Sequence, residues 1–180
     1  MPVFVMNAIL GGLFSSRINL NLRERHAYTY GAFSHLDARR HAGPFEVSTA
    51  IRSDVTAAAV REVLTEIDGM RAAPVTADEL SLATAYLDGV FPIRFETTAA
   101  VATALANLQI FGLADDYYDR YRDTVRGMTR ERVHAAARDH LHPDRLQIVV
   151  VGDPSAVIGP LAELGAGPVH VYDVTGAPAG

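Results

Sequence analysis

Arg23 and Tyr30 are the residues of this chain whose types and spacing best fit ligand binding. They lie seven residues apart, where an apolar helical pattern gives way to the β-favouring run 28–30. A guanidinium stays charged and donates several hydrogen bonds, and a phenol hydroxyl donates one. Two such side chains on one wall can hold a peptide backbone or a carboxylate. The same stretch contains no nucleophile–base pair and no cluster of metal ligands.

The elements that position these residues can be predicted from apolar periodicity. Residues 3–25 are expected to be helical, with a break at the close-packing pair Gly11–Gly12. Two antiparallel strands should follow, joined by the polar loop 37–44. Asp54 is a suitable N-cap for a helix over residues 55–70.

Capping signals mark the helices of the second half. Thr76 and Glu79 form a capping box, the clearest local signal in the chain. Gly112 is expected to close a helix over residues 98–111, and Thr129 to begin one that runs to residue 140. A short helix between them is expected near residues 117–125.

The last third is predicted to add strands to the sheet. The apolar run 146–151 contains three valines and is typical of a buried strand, and residues 169–171 are expected to form a last strand. Asp153 and Pro154 should begin a helix between them. The order of elements predicts an α+β fold, with helices layered on one face of a mostly antiparallel sheet. We expect a single domain over residues 1–174 and a loose tail over 175–180.

Composition limits the classes of partner. The net charge of −5 argues against nucleic acid or an anionic membrane, and the chain has no apolar stretch long enough to predict a membrane span. The absence of cysteine excludes disulfides and thiolate metal sites. We expect a cytoplasmic location, and the sequence leaves a periplasmic or secreted location open.

The histidines do not predict a metal site. None of the seven begins a His-x-x-Glu-His motif or the spacing that places two ligands on one helix face. The nearest pair, His140 and His142, is better explained as a helix terminus, where histidine suits the dipole. His26 is expected to be a solvated loop residue. We therefore predict no metal ligand and no catalytic residue in this chain.

A string of motifs, however, resembles a known family. The string comprises Gly11 to Ile18 (Gly-Gly-Leu-Phe-Ser-Ser-Arg-Ile), then Leu22-Arg23-Glu24, then Tyr28-Thr29-Tyr30. It resembles the second, non-metal half of the insulinase (pitrilysin-type) zinc peptidases, which include the mitochondrial processing peptidase and similar bacterial proteins. Residues 75–80, 91–96 and 149–153 agree with the resemblance.

The resemblance implies a function that this chain cannot complete alone. In that family two α+β halves form a clamshell, one half carrying zinc and the other an arginine and a tyrosine that hold the peptide. Arg23 and Tyr30 match that pair, and we expect Ser16, Arg17 and Glu24 to support the turn that positions them. The zinc would lie on a partner domain or subunit, so the isolated chain is predicted to be inactive. The alternative is an inert structural or assembly subunit of the same fold.

Two further expectations qualify this prediction. Members of the family open this half with a strand before the first helix, and here Met1 falls almost at that helix. A sheet that lacks its opening strand has an unpaired edge, through which a homodimer could form.

From the residues alone, Arg23 could simply pair with a local acid such as Glu24 or Glu46, and Tyr30 could be a half-buried strand aromatic.

Overall fold

The computed structural model describes residues 1–179 and shows an α+β chain dominated by helices. The elements, in chain order, are α1 (Pro2–Asn7) with a π-helical extension (Ala8–Gly12), α2 (Arg17–Asn19) with a π-helical extension (Leu20–Arg25), β1 (Ala32–Leu36), β2 (Phe45–Thr49), α3 (Thr56–Ala72), α4 (Ala77–Val90), α5 (Thr98–Phe111), α6 (Tyr121–Arg126), α7 (Arg130–His140) and α8 (Pro154–Glu163). Short 3₁₀ turns occupy Ser53–Val55, Pro92–Phe95 and Pro143–Arg145.

The helical break predicted at the glycine pair is present. The π-helical extension of α1 ends at Gly12, because Leu13 takes an extended backbone with φ −114° and ψ 158°. A Cβ atom on Gly11 would lie 2.5 Å from the Ser34 hydroxyl oxygen of β1. The glycine therefore allows the first helix to approach the sheet closely, as the sequence predicted.

The sheet consists of two antiparallel strands within the described residues. β1 and β2 pair from Ala32 opposite Thr49 to Leu36 opposite Phe45. The polar loop 37–44 connects them, as predicted. On β1 the buried residues Ala32 and Ser34 alternate with exposed ones, so that one face of the strand packs on the first helix.

Helices cover that face and enclose the core, which confirms the α+β prediction. Helix α1 packs against α7, α4 and β1, and α3 packs against α2, α7 and α8. The side chains of Val5, Leu10, Ile18, Leu22 and Val133 are fully buried between these elements.

The predicted caps mostly form. Thr76 and Glu79 make a complete capping box at the start of α4. Gly112 closes α5 with φ 62°, and Thr129 and Asp153 accept backbone hydrogen bonds at the starts of α7 and α8. The prediction for Asp54 was wrong, because the chain enters α3 through a 3₁₀ turn and Asp54 binds Arg52 instead.

The two late strands were also predicted wrongly. Residues 146–151 do not join the sheet, and the side chains of Val149 and Val151 are 86% and 97% exposed. Residues 169–171 are irregular, with an isolated bridge between Tyr172 and Pro178 beside them. An apolar, β-branched run forms a strand only where another strand supplies its hydrogen bonds, and no neighbour does so here within residues 1–179.

The first helical segment has the length and apolar composition of a membrane span. Pro2–Arg25 comprises 24 predominantly apolar residues, although the sequence had predicted no span. More than half of its most apolar part is buried inside the protein. A core helix passes the same test, so the segment is weak evidence for a membrane. The predicted boundary between a domain and a tail at residue 174 stays a prediction.

Candidate functional site

Arg23 lies on the π-helical extension of α2, and the neighbouring Leu22 fixes that turn by complete burial in the core. The guanidinium carbon of Arg23 lies 4.4 Å from the centroid of the Phe14 ring. Its Nε atom lies 3.3 Å from a carboxylate oxygen of Glu24. The predicted local ion pair is thus present, but it involves one nitrogen of a half-buried side chain. A guanidinium has five N–H donors, so most remain free for a ligand.

Tyr30 follows an irregular turn and precedes β1. Ala27 has a φ of 53°, a left-handed conformation that is uncommon for a residue with a side chain. The Thr29 hydroxyl then donates to the Ala50 carbonyl oxygen at 2.7 Å and accepts from the Gly31 N–H at 3.1 Å. These bonds tie the turn to the end of β2. The Tyr30 side chain is 99% exposed, so the interpretation as a half-buried strand aromatic was wrong.

One cavity brings Arg23 and Tyr30 together. Its volume is about 680 Å³. The lining residues are Arg23, Glu24, Ala27, Tyr28, Thr29, Tyr30, Ala50, Ile51 and Arg52. Arg52 already forms an ion pair with Asp54, with 3.2 Å between its Nε atom and a carboxylate oxygen. The cavity is therefore lined by one guanidinium with free donors, by the phenols of Tyr28 and Tyr30, and by the apolar side chain of Ile51. That combination suits an extended peptide better than a compact polyanion.

Of the residues predicted to support the turn, only Arg17 makes a long-range contact that fixes the segment within residues 1–179. Arg17 makes no side-chain bond to the backbone of the turn but forms a bidentate ion pair with Glu79, at 2.6 and 2.9 Å. Ser16 is buried, and its hydroxyl has no hydrogen-bond partner within residues 1–179. Glu24 lies beside Arg23, as described above.

Glu79 links two parts of the structure. Its carboxylate accepts from Arg17 of the site region and from the backbone N–H of Thr76 at 2.7 Å, which completes the capping box of α4. The Arg17 hydrogen bonds, assisted by those of Thr76, lower the pKa of Glu79 to about 2. The pair thus locks the start of α2 onto α4 over 62 residues of sequence.

Asn19 was missed by the sequence analysis, although it holds the turn directly. Its amide nitrogen donates to the Phe14 carbonyl oxygen at 2.6 Å, and its amide oxygen accepts from the Ala32 N–H at 3.0 Å. Asn19 is fully buried, and these two bonds span the helical break and the first residue of β1. An asparagine among apolar residues in a predicted helix was the available signal, because a buried amide requires partners.

The described residues do not provide a zinc site. No group of three His, Cys, Asp or Glu side chains within residues 1–179 is close enough to hold a metal ion. His140 and His142 line a separate cavity of about 420 Å³ with Arg145, an unfavourable neighbour for a cation. His26 stacks on Tyr28 with 4.9 Å between the ring centroids.

Comparison with known proteins shows which proteins this chain is similar to. Residues 1–87 match the sequence profile of the peptidase M16 inactive domain. An uncharacterized zinc protease of Streptomyces coelicolor is 26% identical over 167 residues, which cover 92% of this chain and 34% of that protein. The predicted resemblance to the second half of the insulinase-type peptidases is thereby confirmed.

Solved structures show the same fold. The peptidase M16 inactive domain from Pseudomonas fluorescens superposes with a TM-score of 0.73 at 25% identity, covering 78% of this chain and 34% of that one. A conserved protein from Enterococcus faecalis gives a TM-score of 0.69 at 20% identity, covering 76% of this chain and 32% of that one. The chain thus spans about a third of the length of these relatives.

Proposed function

We propose that this chain is the non-catalytic, substrate-binding half of a zinc-dependent endopeptidase. The observation that carries the proposal is the cavity in which Arg23 and Tyr30 meet, on a chain whose first 87 residues match the profile of the peptidase M16 inactive domain. On this proposal the pair holds an extended peptide for a domain or subunit that carries a His-x-x-Glu-His zinc site.

Arg23 is suited to anchoring the peptide. The Phe14 ring at 4.4 Å and Glu24 at 3.3 Å hold the guanidinium in one place before any ligand arrives. Less rotamer entropy is then lost on binding than for a free arginine. The donors that Glu24 does not occupy can bind backbone carbonyl oxygens or a carboxylate.

Tyr30 is suited to a contact that forms only in the complex. Its side chain is almost completely exposed, and no other residue in the described range bonds to its hydroxyl. The turn beneath it is fixed by the Thr29 hydrogen bonds. The hydroxyl can therefore donate to a substrate carbonyl, or to an oxyanion as charge develops on it.

The test is reconstitution with a zinc-bearing half of the same family from the same genome. We expect no peptide cleavage by this chain alone and measurable cleavage by the pair. Tyr30→Phe should lower kcat/KM of the pair at least about tenfold, since one hydrogen bond is lost in the transition state. The matched control is Tyr172→Phe, another exposed tyrosine that lies outside the cavity and should leave kcat/KM unchanged.

The outcomes separate the proposal from its alternative. Full activity of the Tyr30→Phe pair would contradict the assigned role of Tyr30. A stable complex that never cleaves peptides, with any zinc-bearing half that binds it, would favour the inert structural or assembly subunit. Because Tyr30 is exposed, its substitution should leave the unfolding midpoint within experimental error, so lost activity cannot be attributed to misfolding.

A further inference from the structure

The corner 26–28, which separates Arg23 from Tyr30, contains a residue in an unfavourable backbone conformation. Ala27 has a φ of 53°, in the left-handed region that a residue with a side chain rarely adopts. Its N–H donates to the Arg23 carbonyl oxygen at 3.2 Å, and the Tyr28 N–H donates to the Leu22 carbonyl oxygen at 2.8 Å. Residues in such conformations persist only where their surroundings hold them, and they concentrate at functional sites. The contacts that hold this corner therefore bear on the cavity.

The side chains on either side of Ala27 stack on each other. The ring centroids of His26 and Tyr28 lie 4.9 Å apart, with 22° between the ring planes. The stack spans the left-handed residue and so supports the observed shape of the corner. Because Tyr28 lines the cavity together with Arg23 and Tyr30, the stack also fixes one wall of the candidate site.

One carboxylate of α3 contacts both the end of α2 and this stack. An oxygen of Glu62 accepts a hydrogen bond from the Asn21 amide nitrogen at 3.0 Å, and the same oxygen lies 3.7 Å from Nε2 of His26. Asn21 is buried, and its amide nitrogen also donates to Glu66 at 2.6 Å. The two glutamates thus share Asn21, but within residues 1–179 only Glu62 has an ion-pair contact with His26.

We propose that Glu62 is a positioning residue for the cavity, acting through His26 on Tyr28, and that it holds this wall most firmly when the His26 ring is protonated. A neutral imidazole 3.7 Å from a carboxylate oxygen is too far away for a hydrogen bond. A protonated imidazole is attracted to Glu62 by its charge. Histidine side chains change charge between about pH 5 and 8, so the corner should be held more firmly at pH 6 than at pH 8.

The charged and titratable groups packed around His26 come from α3 and from the corner itself. On α3, Glu62 is in contact with the ring, and Glu66 is joined to Glu62 through the shared Asn21 amide. In the corner, Tyr28 presents the face of its ring, which attracts a cation. The charged chain neighbours are Arg23, Glu24 and Arg25. The contact with Glu62 is therefore the one to substitute, because it joins the ring to another element.

Glutamine variants isolate the charge, because glutamine keeps an oxygen that can accept from Asn21. In the reconstituted pair, Glu62→Gln should raise KM about two- to fivefold at pH 6, as expected for a partly exposed ion pair. It should leave kcat at pH 6 and both constants at pH 8 unchanged. Glu66→Gln, the same change beside the same amide, should leave KM unaltered at both pH values. Each value is taken relative to the wild-type pair at the same pH, so the pH dependence of the zinc-bearing half cancels.

Hydrogen exchange of this chain without its partner tests the corner in the absence of substrate. The Tyr28 amide should exchange about two- to fivefold faster in Glu62→Gln than in the wild type at pH 6, and at the same rate at pH 8. Adding Glu62→Gln to His26→Gln should cause no further increase, because the variant has no ring to protonate. Equal exchange in Glu62→Gln and Glu66→Gln at both pH values would overturn the proposal.

The expected change in KM rests on the proposed function, whereas the expected change in exchange does not. If the exchange difference is present but Arg23→Ala leaves kcat/KM unchanged, the proposed function fails and the contact from Glu62 to the corner stands. If Arg23→Ala lowers kcat/KM but Glu62→Gln matches Glu66→Gln in KM at both pH values, the proposed function stands and Glu62 does not position the cavity.

Discussion

Residues 1–87 and residues 146–179 use similar apolar side chains in opposite ways. In the first region Val5, Met6, Leu10 and Leu22 are fully buried, and the helical segment that carries Leu22 also carries Arg23 of the candidate site. In the second region Val157 is the one buried apolar residue in the part that the structure describes, and other valines lie open to solvent. The first region is therefore buried in a core that it shares with α6 and α7, whereas the second has the sequence of a core element and no neighbouring strand within residues 1–179.

The largest expected effect tests this contrast with one substitution made in both regions. Val5→Ala removes two methyl groups from a fully buried position and should destabilise the chain by about 2 kcal/mol, from lost transfer energy plus a cavity. Val174→Ala, at a fully exposed valine, should change the free energy of unfolding by less than about 0.5 kcal/mol. Urea unfolding measures both, and similar losses would contradict the contrast.

A smaller effect is expected from Glu79→Gln. The substitution removes the negative charge that pairs with Arg17, so we expect the free energy of unfolding at pH 7 to fall by about 1–2 kcal/mol. Because Arg17 lowers the pKa of Glu79 to about 2, the ionised carboxylate stabilises the fold above its ordinary pKa near 4.5. That stabilisation is lost as the pH falls from about 4.5 to about 2. The difference in free energy of unfolding between the wild type and Glu79→Gln should therefore disappear over that range.

The matched control for Glu79 lies in the second region. Glu163→Gln changes an exposed carboxylate of α8 for which no ion pair is present within residues 1–179. Its unfolding curve should follow the wild type at every pH. If Glu79→Gln remains equally less stable than the wild type at pH 2, the ion pair is not the source of the difference.

The smallest of the stability effects concerns the turn beneath Tyr30. Thr29→Val keeps the shape of the side chain but removes the hydrogen bonds to Ala50 and Gly31, and should cost about 1 kcal/mol. Faster hydrogen exchange of the Gly31 amide would localise the loss. Thr175→Val removes the exposed hydrogen bond from Thr175 to Asp173 and should lower the free energy of unfolding by less than half as much. A larger loss for Thr175→Val than for Thr29→Val would contradict the contrast between the two regions.

Local features along the chain could be predicted from the sequence. The capping box at Thr76 and Glu79, the αL glycine at residue 112 and the N-cap at Asp153 each depend on side chains within four residues of one another. Interactions between residues this close in sequence can be read from the order of residue types. The break after the glycine pair and the two-stranded hairpin were predicted for the same reason.

Long-range features could not be predicted in this way. Periodicity cannot show whether a strand has a neighbour, so it failed for the run 146–151. The ion pair between Arg17 and Glu79 joins residues 62 apart and depends on how α2 and α4 pack. Arg23 and Tyr30 were selected through the family motif, and their meeting in one cavity depends on the turn at Ala27, which no local pattern signalled.

The most direct test of the account is the effect of Arg23→Ala on peptide cleavage by the reconstituted pair. Removing a held guanidinium should lower kcat/KM about 10- to 100-fold, the value of one or two hydrogen bonds to a charged donor. Arg25→Ala, an exposed arginine two residues away that does not line the cavity, should leave kcat/KM unchanged. Equal kcat/KM for the wild-type, Arg23→Ala and Arg25→Ala pairs would contradict the proposal that this half holds the substrate.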